Sequence, residues 1–168
     1  MHHYQQSLVL EATPATVYAA LTTPAGLRGW WTQDSDVDTA SNVGSELRFR
    51  FGPHYMHMRI EQLVAGREVH WLCTAAHTDI EHFTRKDEWV GTQIVFRLAA
   101  AGDGQTRLDF EHIGLVPEFE CYDLCRNGWQ NFLTSLQLYT ATGTGTPYRP
   151  AEAHPAVPIE QVAERTTP

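Results

Sequence analysis

Apolar and polar residues alternate with a period of two through the middle of this 168-residue chain, from Gln33 to His112. Antiparallel strands show this period when one face of their sheet is covered and the other is wet. Glycine-containing turns separate the alternating runs. The apolar positions of these runs are Leu47, Phe49, Phe51, Met56, Met58, Ile60, Val69, Trp71, Cys73, Ile94, Phe96, Leu98, Leu108 and Phe110. We therefore predict a meander of about six strands whose apolar face needs a cover.

The cover is predicted to be a helix that follows the strands. From about Glu118 the apolar period changes to 3.6, which is typical of an amphipathic helix, and Gly143 marks its end. Packing this helix on the sheet buries both apolar faces at once. The sheet must curve to grip the helix, and the wedge-shaped gap that results is a place where a ligand can bind.

The first thirty residues predict a strand and two short helices. Leu8 and Leu10 have strand spacing, and Thr13 followed by Pro14 is typical of a helix start. Pro24 either ends that helix or begins the next one, whose apolar face includes Trp30 and Trp31. The expected fold class is therefore α+β, with about seven antiparallel strands curved around one long C-terminal helix.

One domain is expected over residues 1–142, in keeping with the length of the chain. Residues 143–168 are rich in proline and lack core-forming patterning. We predict that this tail is extended or disordered, or that it docks on a partner subunit.

Charge and composition exclude several classes of partner. The net charge is −8, and Lys86 is the only lysine, so binding to nucleic acid or to an anionic membrane is not expected. No apolar run reaches the roughly 20 residues of a membrane span, and no secretory signal is visible. Three cysteines without a CxxC motif fit reduced thiols. A cytoplasmic location is therefore predicted.

These patterns resemble a known family, the activator of Hsp90 ATPase homologue 1-like (AHSA1-like) branch of the START-like, or SRPBCC, superfamily. The resemblance covers roughly residues 5–140. The motifs that carry it are Ala12-Thr13-Pro14, Val17-Tyr18, Ala20-Leu21-Thr22, Pro24, Leu27, Trp30-Trp31, Gly44-Ser45-Glu46-Leu47-Arg48-Phe49-Arg50, Trp89-Val90-Gly91-Thr92-Gln93-Ile94-Val95-Phe96-Arg97-Leu98, Thr106-Arg107-Leu108, His112, Gly114, Gly128-Trp129 and Leu133. The resemblance implies a helix-grip (Bet v1-like) fold. One fold of this kind hosts many functions.

Inward-facing aromatic and sulfur side chains are the candidate ligand contacts. They are Trp30, Trp31, Phe49, Met58, Trp71, Trp89, Phe96, Phe110, His112, Cys125, Trp129 and Phe132. Core packing is the alternative explanation for each aromatic ring. His112 shares strand parity with the apolar inner face, so it is a candidate to orient a ligand or act as a general base, or it is a hydrogen-bonded core histidine.

Metal and cofactor chemistry have little support in the sequence. Cys121 and Cys125 are four residues apart on one helix face, but buried cysteine more often packs as a small apolar residue. His54 and His57 have opposite strand parity, so they are expected to point to opposite faces. No phosphate-binding or dinucleotide-binding motif is present. We predict no metal and no cofactor.

The leading hypothesis is a protein that binds a small hydrophobic or aromatic molecule between the sheet and the last helix. The first alternative, implied by the superfamily, is an enzyme of the polyketide cyclase or dehydratase type that uses the same cavity, with His112 and Tyr55 or Glu118 as partners. The second alternative, implied by the family name, is a chaperone-associated protein. A homodimer is plausible on base rates, and the long loop from His77 to Glu88 is a candidate for specificity.

Overall fold

Seven strands and three helices make up the computed structural model, which describes residues 3–150. In chain order the elements are β1 (Tyr4–Leu10), α1 (Pro14–Thr22), α2 (Pro24–Trp30), β2 (Ser35–Asp36), β3 (Glu46–Phe51), β4 (His54–Val64), β5 (Glu68–His77), β6 (Gln93–Gly102), β7 (Gln105–Ile113) and α3 (Tyr122–Thr142). The strands form one antiparallel sheet in the order β1-β7-β6-β5-β4-β3-β2. The α+β helix-grip prediction is confirmed.

Strand β2 has only two residues, too few to show the period-two pattern, so the alternation does not predict it. It pairs with β3, and an ion-pair cluster holds the two together. The Arg50 guanidinium lies 2.9 Å from Asp34 Oδ1 and 3.0 Å from Asp36 Oδ2. These carboxylates raise the pKa of Arg50, so its charge is constant at any physiological pH.

Threonine caps and prolines determine where the two short helices begin. The Thr13 hydroxyl accepts a hydrogen bond from Thr16 N, and Pro14 occupies the first helical turn. The Thr23 hydroxyl accepts from Gly26 N at 3.0 Å in the same way. Pro24 therefore begins α2, which decides between the two alternatives left by the sequence.

Helix α3 begins at Tyr122, four residues later than the predicted start near Glu118. Turns occupy residues 117–121, and the Glu88 carboxylate accepts hydrogen bonds from the backbone N–H groups of Glu120 (3.0 Å) and Cys121 (3.1 Å). The Glu88 carboxylate, which comes from a distant loop, thus satisfies two backbone N–H groups at the start of the helix. Such groups have no carbonyl partner within the helix itself. At the other end Gly143 adopts the left-handed conformation, with φ 86°, and closes the helix.

The first part of the predicted tail lies against the domain. Thr146 N donates to Ser135 Oγ on α3 at 2.7 Å, and Tyr148 N donates to Trp31 O at 2.8 Å. Gln33 N in turn donates to Tyr148 O at 2.9 Å, so residues near Tyr148 form a short parallel bridge beside α2. The rest of the tail, residues 151–168, lies outside the described residues.

Tryptophans join the sheet to the helices in the centre of the core. Trp31 stacks on Trp30, Trp71 and Trp129, with ring centroids 5.6, 5.7 and 5.4 Å apart. All four side chains are buried. Large aromatic surfaces of this kind contribute much of the burial free energy of a core, so the tryptophan pair at the end of α2 belongs first to the architecture.

Candidate functional site

A cavity of about 350 Å³ lies beside this core and is partly open to solvent. Its walls come from the residue after α2, the β3–β4 hairpin, the long β5–β6 loop, one face of α3 and the ordered start of the tail. The lining residues are Trp31, Phe51, His54, Met56, Thr78, Trp89, Leu124, Cys125, Gly128, Trp129, Phe132 and Tyr148. The cavity is therefore largely apolar and aromatic, as small-molecule sites usually are.

Five of the predicted ligand contacts meet at this cavity: Trp31, Trp89, Cys125, Trp129 and Phe132. The other seven do not line it and lie buried in the core: Trp30, Phe49, Met58, Trp71, Phe96, Phe110 and His112. These side chains pack on one another, as in the Phe96–Phe110 pair with ring centroids 5.3 Å apart. These core side chains fill part of the space between sheet and helix, and the cavity lies beside them.

Seven lining residues were missed by sequence reasoning, and five of them had a usable signal in the strand or helix periods. Phe51, His54 and Met56 continue the inward parity of the β3–β4 hairpin, so the alternation alone could have found them. Thr78 and Tyr148 lie in segments without any period, where the sequence offers no guide. Leu124 and Gly128 lie on the predicted apolar stripe of α3, but Leu124 remains 47% exposed at the cavity edge.

His112 is fully buried, and both of its ring nitrogens have hydrogen-bond partners. Trp129 Nε1 donates to His112 Nδ1 at 3.0 Å, so the ring proton resides on Nε2, which lies 2.9 Å from Thr92 Oγ1. The Thr92 hydroxyl then donates to Trp89 O at 2.6 Å. Burial lowers the pKa of His112 to about 3. This neutral histidine positions the two cavity tryptophans and has no free nitrogen to offer a ligand.

Cys125 is the cavity residue with nucleophilic chemistry. Its sulfur accepts a hydrogen bond from Trp89 Nε1 at 3.1 Å, and Cys121 lies one helical turn before it. A hydrogen bond from the Cys121 thiol lowers the pKa of Cys125, although burial opposes the shift. Burial alone raises the pKa of the remaining thiol, Cys73, to about 12.

His54 and Thr78 are polar side chains in the otherwise largely apolar wall. His54 Nδ1 accepts a hydrogen bond from Asp79 N at 2.8 Å, and burial lowers the pKa of this histidine. Thr78, the residue before Asp79, is only 4% exposed. Because Nδ1 is an acceptor, the neutral ring of His54 carries its proton on Nε2. The cavity therefore has one defined hydrogen-bond donor beside a threonine hydroxyl.

Charged groups are missing from the cavity wall. None of its lining residues in the described range 3–150 is Lys, Arg, Asp or Glu. Within that same range, no group of three or more His, Cys, Asp or Glu side chains has the arrangement of a metal site. The helices of the described part of the chain are all too short or too polar to cross a bilayer. The arrangement is suited to a neutral organic molecule.

Comparison with protein families gives a match over residues 11–141, to the family described as "Activator of Hsp90 ATPase homolog 1-like protein". Among curated proteins, none has a similar sequence. The matched segment contains all the strands after β1, helices α1 and α2, all of α3 except Thr142, and all but one of the cavity residues.

Solved structures share this architecture. The Aha1 dimer from Colwellia psychrerythraea is 30% identical, with a TM-score of 0.71, and the match covers 86% of this chain and all of that one. An HSP90 activator from Plasmodium falciparum is 16% identical (TM-score 0.60; 85% and 97% covered). A protein of the dynemicin biosynthetic locus is 15% identical (TM-score 0.59; 84% and 48% covered). The last two likenesses concern the fold alone.

Proposed function

This chain belongs to the Activator of Hsp90 ATPase homolog 1-like family, and we propose that it binds a small, neutral, largely aromatic molecule in the cavity between its sheet and α3. The observation that carries the proposal is the cavity of about 350 Å³ with apolar and aromatic walls. If side chains had filled this space, the domain would have had no room for a ligand and a purely structural role would have been the simpler explanation.

The size of the cavity restricts the ligand. Dry apolar cavities of about 150 Å³ hold one benzene ring, so about 350 Å³ suits a molecule of two or three rings. Trp31, Trp89 and Trp129 offer flat surfaces against which such rings can stack. Long acyl chains would have to leave the cavity through its open side, which makes compact ligands the better match.

Gly128 provides the sharpest test of this proposal. It lies in the second turn of α3 and lines the cavity, and a Cβ atom built there meets no atom within 4 Å. We expect Gly128→Phe to fill the cavity without a clash and to weaken binding of two-ring aromatic probes at least tenfold. Binding is measured by quenching of the cavity tryptophans.

Gln130→Phe is the matched control, because it adds the same ring to the exposed face of α3. It should bind the probes as the unmodified protein does. Equal affinity in the Gly128→Phe protein would show that the probes bind elsewhere. A fluorescence signal that no neutral aromatic compound changes would overturn the proposal itself.

An enzyme acting in the same cavity is the alternative favoured by His54 and Cys125, since both line the wall and both can transfer a proton or attack a substrate. His112, with no free nitrogen, does not support it. Chemical conversion of a bound probe, followed by mass spectrometry in the unmodified and Cys125→Ser proteins, distinguishes turnover from binding.

A chaperone-associated role is the second alternative, favoured by the family description and by 30% identity to the Colwellia Aha1 protein. Stimulation of the ATPase of a purified Hsp90 by this protein would support it. An unchanged ATPase rate at saturating protein would exclude direct activation.

Self-association is also proposed, because the Colwellia Aha1 structure is a dimer. Light scattering during size-exclusion chromatography would give a mass of about twice 19.0 kDa for a dimer. The free thiols of Cys73, Cys121 and Cys125 fit the cytoplasmic location expected from the sequence.

A further inference from the structure

We infer that His54 and Thr78 form a recognition site for one uncharged oxygen acceptor of the ligand, a ketone, quinone or phenol oxygen. The inference rests on the proposed function and specifies the class of ligand: aromatic rings for the apolar wall and one neutral oxygen for its polar end. Both side chains line the cavity, and no family match or neighbouring structure assigns them a role.

The direction of the His54 hydrogen bond is determined by its backbone partner. Asp79 N–H is a donor, so Nδ1 at 2.8 Å must accept and the ring proton must be on Nε2. Within residues 3–150, no protein group accepts a hydrogen bond from that Nε2. The ring is thus held by the loop in one tautomer while its donor is left for another molecule.

Thr78 provides the second group. Its backbone N–H donates to Lys86 O at 2.7 Å, which fixes the start of the β5–β6 loop beside the cavity. The residue as a whole is 4% exposed, and its hydroxyl has no hydrogen-bond partner within residues 3–150. The hydroxyl is not one of the fully buried unpaired atoms of that range, so it faces the open space of the cavity. It is therefore available to donate a hydrogen bond to a ligand oxygen.

The antiparallel pairing of β4 with β5 makes His54 and Thr78 neighbours. Strands β4 and β5 pair Tyr55 with His77, so His54 and Thr78 extend the same pair of strands by one residue each. The hydrogen bond from Asp79 N to His54 closes the arrangement. One oxygen entering this end of the cavity therefore meets both side chains.

Charge excludes an anionic oxygen. Among described residues, no Lys or Arg lines the cavity to balance a carboxylate or phosphate, and burial keeps His54 neutral near pH 7. Moving an unpaired carboxylate into an apolar wall costs far more free energy than moving a neutral carbonyl there. We therefore expect neutral ketones and phenols to bind and the corresponding acids to be rejected.

Three naphthalenes of nearly equal size test the inference at pH 8. 2-Acetylnaphthalene carries the oxygen, 2-isopropenylnaphthalene replaces C=O with C=CH₂, and 2-naphthoate carries the charge. We expect the ketone to bind about five- to tenfold more tightly than the alkene, which is the value of one net hydrogen bond. The acid should bind at least tenfold more weakly than the ketone.

Two conservative variants remove the groups one at a time. His54→Asn keeps an oxygen to accept from Asp79 N but removes the Nε2 donor, and Thr78→Val keeps the shape but removes the hydroxyl. Each should lower the ratio of ketone affinity to alkene affinity at least threefold. Because the two variants are independent, misfolding of one still leaves the other as a test.

The outcomes separate the two proposals. Equal affinity for ketone and alkene in the unmodified protein overturns the recognition site and leaves the proposed function standing. Tight binding of 2-naphthoate overturns the neutral-ligand argument. Binding of none of the three overturns the proposed function, and this inference with it.

Discussion

At the scale of single residues, the hydrogen-bond partners of a histidine determine whether its ring nitrogens are available to a ligand. His112 and His54 both face inward on strands, and sequence parity treats them alike. The structure pairs both nitrogens of His112 but leaves one nitrogen of His54 beside the cavity. His112, the most prominent candidate for chemistry in the sequence, is thus a part of the core, whereas the less conspicuous His54 lines the cavity.

The neutral state of His112 predicts a pH-dependent stability. Its pKa is about 3 in the fold and about 6.5 in the unfolded chain, so below pH 6.5 the unfolded state binds the extra proton. The contribution of neutral His112 to the free energy of unfolding is therefore fully present above pH 6.5. It is lost as the pH falls towards 3, at up to about 1.4 kcal/mol per pH unit. His112→Gln should lose this dependence. Urea unfolding at pH 7, 6 and 5 measures it.

The informative quantity is the difference between the unmodified protein and His112→Gln. His54 and His57 also have lowered pKa values, but both proteins contain them, so their contribution cancels. The difference in the free energy of unfolding should shrink as the pH falls. Parallel pH profiles would contradict the assignment of His112 as a buried neutral base.

The cysteines should differ in reactivity. Cys125 lines the cavity and its pKa is lowered, whereas burial raises the pKa of Cys73 to about 12. Iodoacetamide should therefore modify Cys125 first, because the thiolate is the nucleophile. Peptide mass spectrometry over time measures this order. Cys125→Ser is the control that should remove the fast phase, and equally rapid labelling of Cys73 would contradict the predicted order of reactivity.

At the scale of elements, close backbone approach holds the ordered start of the tail in place. Gly145 lies where a Cβ atom would come within 2.7 Å of Gly29 O and 2.9 Å of Ser135 O. Both are backbone atoms of helical segments, so neither can move cheaply. The glycine allows residues near Tyr148 to reach the cavity wall, and a pattern of Thr and Gly in the sequence does not reveal that contact.

Gly145→Ala is expected to destabilise the protein by about 1–3 kcal/mol, the usual cost of overpacking. It should also weaken probe binding, because Tyr148 forms part of the cavity wall. Thermal unfolding and tryptophan quenching measure the two effects. Gly128→Ala is the matched control: its Cβ meets no atom within 4 Å, so helix propensity should leave stability unchanged or higher. Unaltered stability in Gly145→Ala would contradict the close contact.

At the scale of the whole molecule, one curved sheet and one long helix bury their apolar surfaces against each other. The sheet has one apolar face, the helix has one apolar stripe, and each covers the other. Large rings fill part of the space between them. At one end Gly128 contributes no side chain, and a cavity of about 350 Å³ results. The function proposed for this chain therefore depends on incomplete packing.

The sequence by itself determined the fold. Alternation through β3–β7 and the 3.6-residue period of α3 specify which faces are apolar, and burial of apolar surface allows few ways to combine them. It also identified Trp31, Trp89 and Trp129 as inward rings, since a period depends only on local geometry.

Only the tertiary structure decided which inward residues meet the cavity. Whether Trp71 or Trp31 borders open space depends on how side chains from distant segments fill volume, and a periodic pattern contains no information on volume. Thr78 and Tyr148 reach the site through single hydrogen bonds to Lys86 O and Trp31 O, made by loops without any period. Packing and these long-range bonds, rather than patterning, define the site.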